Sequence, residues 1–155
     1  DRKSGEAPLL TIYGGASTTA RRRAELAMVR LAPFFVTSSP WTSDSPLPGG
    51  DFSWREKEER LATVQDRWPF LSESNARRLF TAYGTRIETI LGDAKSIDDL
   101  GPRFGAELTG AEVRYLMKHE FARFPDDILW RRSKLGLTMS KSDRDALALF
   151  MATPA

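Results

Sequence analysis

The stretch SESNARRLFTAYG, residues 72–84, contains the signals of one amphipathic helix from its first residue to its stop. Ser72 is of a residue type that caps helix N-termini, and Gly84 stands where a helix commonly ends. Between them, apolar residues recur at the helical spacing of three or four: Ala76, Leu79, Phe80 and Tyr83. The segment therefore predicts a helix whose apolar face packs against neighbouring elements.

The sequence on either side of this helix repeats the same pattern. Before it, a stop at Pro69 follows apolar residues at helical spacing: Trp54, Leu61, Val64 and Trp68. After it, Gly92 closes a shorter helical turn that carries Ile87, Ile90 and Leu91. Residues 93–108 read as a loop, with a short extended piece predicted over 103–108. From Ser53 onward the chain therefore reads as almost entirely helical.

Three more helix starts follow in the last part of the chain. Thr109 and Glu112 predict a capping box, before a stripe of Val113, Leu116, Met117, Phe121 and Phe124. Residues 125–127 (PDD) suit the first turn of another helix, which we expect to end near Gly136. Ser140 and Asp143 open the last helix, with inward positions at Ala146, Leu147, Phe150 and Met151.

The first part of the chain reads differently. Residues 8–13 (PLLTIY) predict one short buried strand, which the glycine pair at 14–15 bounds. Thr18 or Thr19 is the predicted N-cap of a helix that ends before Pro33, with a stripe of Ala24, Ala27, Met28 and Leu31. A single strand leaves the backbone N–H and C=O groups along both edges unpaired, so this segment is expected to belong to a sheet outside the helical part.

The domain organisation follows from these elements. Residues 1–35 are predicted to be a strand-turn-helix that belongs to another domain, and residues 53–155 a C-terminal helical cap domain. Residues 36–52 are predicted to connect the two, because the stretch 33–52 contains four prolines and two glycines. The predicted fold class is mainly α, with a compact bundle of about five helices after the strand-turn-helix.

Composition limits the classes of function. The chain has 155 residues, of which 41% are hydrophobic and 28% charged, as is ordinary for a globular protein. A net charge of +2 gives little support for nucleic-acid binding. The absence of cysteine excludes disulfides and thiolate chemistry, and no metal site is expected. We see no signal peptide and no membrane-spanning run, and the missing initiator methionine suggests a piece of a longer protein.

The glycine pair at 14–15 is the strongest candidate for a ligand-binding turn. Two glycines allow a ligand to approach the backbone closely, and the helix behind them presents free N–H groups to an anion. Taken alone, the same residues also fit a tight strand-to-helix turn with a threonine cap and no ligand.

Six blocks of the sequence decide between these readings by their order and spacing. They are YGGASTTARRRAE (13–25), PWTSDSPLPGG (40–50), WPFLSESNARRLFTAYG (68–84), ETILGDA (88–94), GAEVRYLMKHEFAR (110–123) and DDILWRRSKLGL (126–137). Over nearly the whole chain, they resemble the C-terminal third of the FAD-dependent glycerol-3-phosphate dehydrogenases of the aerobic, respiratory class. The last block is the most specific.

The resemblance implies a reaction and a place for the turn in it. Enzymes of this family oxidise sn-glycerol 3-phosphate to dihydroxyacetone phosphate, pass a hydride to flavin N5 and hand the electrons to quinone. The turn lies under the flavin, with the helix N-terminus near the N1–C2=O edge. The residues at the matching positions, which we expect to bind the cofactor, are Gly14, Gly15, Ser17, Thr18 and Thr19.

Two positions depart from the family pattern, which reads Gly-Gly-Lys-x-x-Thr-Tyr-Arg-x-x-Ala. Ala16 stands at the lysine position and Ala20 at the tyrosine position, while Arg21 and Ala24 match. No catalytic residue is therefore assigned. The family's N-terminal Gly-x-Gly-x-x-Gly turn does not occur in the chain, so we expect this polypeptide alone neither to hold FAD nor to turn over substrate.

The resemblance also implies partners and a location. The expected partner is the enzyme's own N-terminal FAD and substrate domain, with quinone as electron acceptor. A homo-oligomer is compatible with the sequence, and no nucleic acid is expected. The implied location is cytoplasmic, with peripheral association of the full enzyme with a membrane.

Other polar and aromatic residues have simpler interpretations. His119 has no second histidine at metal-ligand spacing and is interpreted as a surface residue of a helix. Glu120 is predicted to pair with an arginine of the pair 131–132. The runs 21–23 and 77–78 are interpreted as solvated helix faces, and core or inter-domain packing is assigned to Trp41, Trp54, Trp68 and Trp130.

Two alternatives to the flavoenzyme hypothesis remain at this point. The chain could be a free-standing helical interaction or nucleic-acid-binding module, since short helices joined by tight turns can imitate a helix-turn-helix. It could also be an oxidoreductase that is active by itself, which would require a yellow protein. The near-zero net charge argues against the nucleic-acid reading.

Overall fold

The computed structural model describes residues 7–36 and 38–153. The chain divides into two units, Asp1–Leu47 and Pro48–Ala155. Helices dominate both units, which confirms the mainly α fold class.

The first unit is a turn followed by one helix. A 3-10 turn over Ser17–Thr19 leads into α1, Ala20–Leu31, and a second 3-10 turn over Ala32–Phe34 follows it. The helix therefore ends where Pro33 predicted it. Apolar side chains along this unit remain accessible, and none of residues 7–36 and 38–47 is fully buried.

The strand predicted over residues 8–13 is wrong for this structure. These residues have no regular secondary structure, and the one isolated β-bridge among the described residues joins Arg103 to Thr109. Tyr13 is 90% exposed, and Leu9 and Ile12 are exposed as well. A strand acquires its hydrogen bonds from a neighbouring strand, and no described residue supplies one here.

The second unit contains the predicted bundle of helices. Its α-helices are α2 (Lys57–Arg67), α3 (Glu73–Tyr83), α4 (Ile87–Leu91), α5 (Gly110–His119) and α6 (Lys141–Ala152). A π-helix covers Asp127–Arg132 between α5 and α6. Short 3-10 turns join them at Trp54–Glu56, Gly84–Arg86, Ile97–Leu100 and Leu135–Leu137. Helix α2 packs against α3, and α4 packs against α5.

One hydrophobic core holds these helices together. Its buried side chains come from all five α-helices, the π-helix and the segments between them, and the largest fully buried apolar ones include Ile87, Leu100, Leu108, Leu116, Ile128, Leu129 and Leu147. Polar caps fix where the helices begin: Ser72 accepts from the N–H of Asn75, and Ser140 and Asp143 form a reciprocal capping box. The predicted starts of α3 and α6 are therefore confirmed.

Several predicted packing positions are wrong. Phe121 is 80% exposed and Phe124 is exposed too, because α5 ends at His119 and Phe121 takes a left-handed φ of 57° that turns the chain away. Core packing holds for Trp68, which is buried, and for the half-buried Trp130, whereas the exposed Trp41 and Trp54 lie outside the core and their inter-domain packing stays a prediction. The inward position predicted for Ala146 is exposed on α6.

The carboxylate of Asp127 stabilises the start of the π-helix by hydrogen bonds to the preceding backbone. Its Oδ2 accepts from the backbone N–H groups of Arg123 and Phe124, both at 2.9 Å. These bonds favour the ionised form and lower the pKa of the Asp127 carboxyl below its usual value.

The Asp127 contacts predict a dependence of stability on pH. A carboxyl whose pKa is lower in the folded state stabilises the fold above its unfolded pKa of about 3.9, and the stabilisation is lost as pH falls through the folded pKa. We therefore expect Asp127→Asn to lower the free energy of unfolding at pH 7 and to cost progressively less below pH 4. Urea denaturation across this range measures the difference. Asp126→Asn is the matched control, and the same pH dependence in both variants would contradict the assignment.

Candidate functional site

The glycine turn before α1 adopts a conformation that requires glycine. Gly14 has a φ of 74° and Gly15 a φ of 142°, both in the region that side chains disfavour. A Cβ at Gly14 would have no heavy atom within 4 Å, so the backbone is open to approach on that side. At Gly15 the same position is covered by the guanidinium of Arg23.

The three hydroxyl residues predicted to bind a cofactor form the 3-10 turn that follows. Ser17, Thr18 and Thr19 are all exposed. Thr19 is the N-cap residue of α1, but its side chain makes no capping bond and instead donates to the carbonyl of Ala16 at 3.1 Å. The position is as predicted, and the capping role of the side chain is wrong. The Thr19 side chain therefore leaves the helix N-terminus uncapped, and the N–H of Ala20 donates to the carbonyl of Ser17 in the preceding 3-10 turn.

The charge around this turn is positive. No acidic residue lies in the first turn of α1, which contains the run of arginines at 21–23. Arg21 pairs with Glu25 at 2.9 Å, further along the helix, whereas Arg23 turns back to the glycines. The turn thus combines open backbone, a helix N-terminus and a cation, which together suit an anionic or electron-rich group.

A second polar cluster lies inside the helical unit, and the sequence did not predict it. Glu112 of α5 is 1% exposed, and its two oxygens accept from both terminal nitrogens of Arg78 on α3 at 2.8 Å. Glu112 also accepts from the hydroxyl of Tyr83 at 2.6 Å. The side chain of Asn75 accepts two more bonds from Arg78. We call Arg78, Tyr83 and Glu112 the buried triad.

The electrostatics of the buried triad make it a structural cross-link. Burial opposes the charge on Arg78, but the bonds to Glu112 outweigh it and raise the pKa of the guanidinium. Burial and the neighbouring carboxylate raise the pKa of the Tyr83 hydroxyl, so it stays protonated and donates. Every polar group of the triad is satisfied, and none holds a proton ready for transfer.

The triad corrects two sequence predictions. Thr109 accepts from the N–H of Glu112 at 3.4 Å, but the Glu112 side chain does not return to the backbone of Thr109, so the predicted capping box is only half formed. Arg78 is not on a solvated face, because only 23% of its side chain is exposed. Arg77 does lie on the surface, near Glu58 and Glu73.

The remaining candidates lie outside both clusters. His119 is exposed and stacks on Tyr115 with ring centroids 5.0 Å apart, which confirms the surface interpretation. The predicted ion pair of Glu120 is wrong: Arg132 donates twice to the backbone carbonyl of Glu120, at 2.8 and 3.1 Å, and Arg131 pairs with Asp127. The carbonyl is free to accept because α5 has just ended.

Comparison with known proteins identifies the helical unit. Residues 40–153 match the family model described as the C-terminal domain of alpha-glycerophosphate oxidase. The chain belongs to this family. The match contains the whole buried triad, which cross-links α3 and α5 in this chain.

Full-length relatives extend the similarity to the glycine turn. The chain is 39% identical to the aerobic glycerol-3-phosphate dehydrogenase of Escherichia coli over 150 residues, and 42% identical to a glycerol-3-phosphate dehydrogenase of Pseudomonas aeruginosa over 149. A D-erythritol 1-phosphate dehydrogenase of Brucella abortus is 37% identical over 145 residues. The first two alignments cover 96% of this chain, so they include residues 14–19.

The relatives are much longer than this chain. It covers 30% of the Escherichia coli protein and 29% of each of the other two. No helix among the described residues is both long and apolar enough to cross a membrane.

Proposed function

We propose that this chain is the C-terminal part of an FAD-dependent dehydrogenase that oxidises sn-glycerol 3-phosphate to dihydroxyacetone phosphate and passes the electrons to quinone. The observation that carries the proposal is the alignment of 96% of the chain with two glycerol-3-phosphate dehydrogenases at 39% and 42% identity. The family match makes a free-standing nucleic-acid-binding module the weaker interpretation, as does the net charge of +2.

The first unit has no hydrophobic core of its own among its described residues. A stretch of more than 30 residues without one fully buried side chain cannot hold itself together by apolar burial. It exposes apolar residues along its length, among them Leu9, Ile12, Leu26, Val29, Val36 and Trp41. We infer that residues 1–35 complete the FAD-binding domain of the enzyme, that 36–52 connect, and that 53–155 form a cap on it.

The residues present at the turn fit a flavin. The open side of Gly14 allows an aromatic ring to approach the backbone, and a side chain there would both strain the backbone and fill that space. The exposed hydroxyls of Ser17 and Thr18 and the first N–H groups of α1 face no competing carboxylate in that helical turn. These are the donors that an electron-rich ring edge accepts from.

The cofactor and the chain contribute different parts of the proposed reaction. When bound, FAD supplies the acceptor for the hydride that leaves the alcohol carbon of the substrate. Gly14 and Gly15 would allow the backbone to lie against the ring, and the N-terminus of α1 would favour negative charge there. The helical unit contributes a rigid cap whose α3 and α5 are cross-linked by the buried triad.

A chimera tests this proposal. We expect the first 70% of the Escherichia coli enzyme joined to this chain to purify with bound FAD and to reduce an artificial acceptor with sn-glycerol 3-phosphate. The chain by itself is expected to be colourless and inactive. Flavin absorbance and the two rates are the measurements, with D-erythritol 1-phosphate as the second substrate because one relative is named for it.

The matched control for the chimera is the Gly14→Val variant. Its side chain would occupy the open approach, so we expect it to lose FAD while its helical content by circular dichroism stays the same. A folded chimera without flavin would overturn the proposed function, and so would a Gly14→Val chimera that holds FAD as tightly as its parent.

A further inference from the structure

The guanidinium of Arg23 folds back onto the glycine turn. One terminal nitrogen donates to the carbonyl of Gly14 at 3.1 Å, and the other donates to the hydroxyl of Thr19 at 3.0 Å. The group also occupies the space where Gly15 would carry a Cβ, only 1.6 Å from that position. Arg23 thus reaches back from α1 across both glycines and fixes the conformation of the turn.

The positive charge of Arg23 is not neutralised at this place. Among the described residues, no carboxylate lies within ion-pair distance of Arg23, and the nearby Glu25 is taken by Arg21 at 2.9 Å. An arginine stays charged at every accessible pH. Its two bonds to neutral acceptors orient the charge without cancelling it, so a full positive charge remains next to the open side of Gly14.

We infer that Arg23 supplies a positive charge beside the flavin that would bind at the glycine turn. This inference rests on the proposed function. The ring gains negative charge on reduction, and a fixed cation close to it favours that state. Arg23 reaches the turn from the helix, seven positions after Ala16, and acts as a charge-supplying and positioning residue.

A purely structural role for Arg23 predicts a different result. If the residue only held the Gly14 carbonyl in place, removal of its charge would leave the potential of the bound flavin unchanged. Arg23→Gln removes the charge and keeps an N–H donor on a shorter side chain, and Arg23→Lys keeps the charge, so the two variants together separate the two roles. Arg22→Gln is the matched control, since Arg22 precedes it on the same helical turn and makes no bond to the glycines.

The test is the midpoint potential of FAD bound to the chimera described above, measured by spectroscopic titration. We expect Arg23→Gln to shift the reduction equilibrium at least tenfold against reduced FAD, which is about 30 mV for a two-electron couple. The FAD content of each variant is measured in the same samples, and Arg22→Gln is expected to change the potential by less than a third of that amount. Adding Ala16→Lys to Arg23→Gln is expected to restore the potential.

The outcomes distinguish this inference from the function on which it rests. A flavin-loaded chimera whose potential responds equally to Arg23→Gln and Arg22→Gln overturns the role of Arg23 and leaves the proposed function standing. Loss of FAD in Arg23→Gln with an unchanged potential in the remaining holoenzyme also overturns it, in favour of the structural role. A folded parent chimera that holds no FAD overturns both.

Discussion

Glu112→Ala is expected to lower the free energy of unfolding by about 3 kcal/mol. The substitution leaves the guanidinium of Arg78 without its carboxylate at a site where 23% of the arginine side chain is exposed. It also leaves the hydroxyl of Tyr83 without its acceptor. A buried cation that has lost its partner costs more than the pair contributed, and the partial exposure of Arg78 places the loss at the lower end of the usual range.

Urea denaturation of the whole chain, followed by the far-ultraviolet signal, measures this loss. Glu58→Ala is the matched control: its carboxylate lies 3.7 Å from Arg77 but is 71% exposed, so we expect less than about 1 kcal/mol. Arg78→Met combined with Glu112→Leu removes both charges and is expected to recover most of the stability. Equal losses in Glu112→Ala and Glu58→Ala would show that the buried triad does not cross-link α3 and α5.

The helices could be predicted from the sequence because their signals are local. Ser72 and Gly84 bracket α3 at the predicted positions, and Ser140 with Asp143 opens α6. The end of α5 could not be predicted in the same way. Phe121 turns the chain with a left-handed φ, and neither a glycine nor a proline marks that position.

The buried triad was missed for a different reason. Arg78 and Glu112 are 34 residues apart, and only the tertiary fold of the bundle brings their side chains together. One signal was present, because Glu112 stands four residues before Leu116 and next to Val113, on the apolar face of its helix. The predicted capping box assigned Glu112 a partner close in sequence, Thr109, so a distant partner was not sought.

The glycine turn shows what a sequence pattern can and cannot establish. The positive φ values of Gly14 and Gly15 follow from the residue type, and α1 begins and ends close to where its cap and Pro33 predicted. The strand before the turn did not form, because its hydrogen bonds depend on residues outside the stretch. The contact of Arg23 with Gly14 depends on the three-dimensional turn and has no counterpart in a linear motif.

Gly84→Ala is expected to lower the free energy of unfolding by about 4 kcal/mol, through backbone strain and a backbone clash together. Gly84 ends α3 with φ 53° and ψ −131°, a combination that is essentially restricted to glycine. A Cβ there would lie 1.9 Å from the carbonyl oxygen of Gly49. The same carbonyl accepts from the N–H of Thr85 at 3.2 Å, so the clash would break the contact that docks residues 48–52 onto α3.

Gly92→Ala separates the two contributions. Gly92 ends α4 with φ 51° and ψ −131°, almost the same backbone conformation, but a Cβ there would meet nothing within 4 Å. Urea denaturation is expected to show that Gly92→Ala lowers the free energy of unfolding by about 1–2 kcal/mol, from backbone strain alone. The difference in free energy of unfolding between Gly84→Ala and Gly92→Ala measures the clash of the new Cβ with the carbonyl of Gly49. That clash cannot be relieved by a side-chain movement, because the carbonyl belongs to the backbone. If the two alanine variants were equally stable, residues 48–52 would not be anchored to the bundle through this crossing.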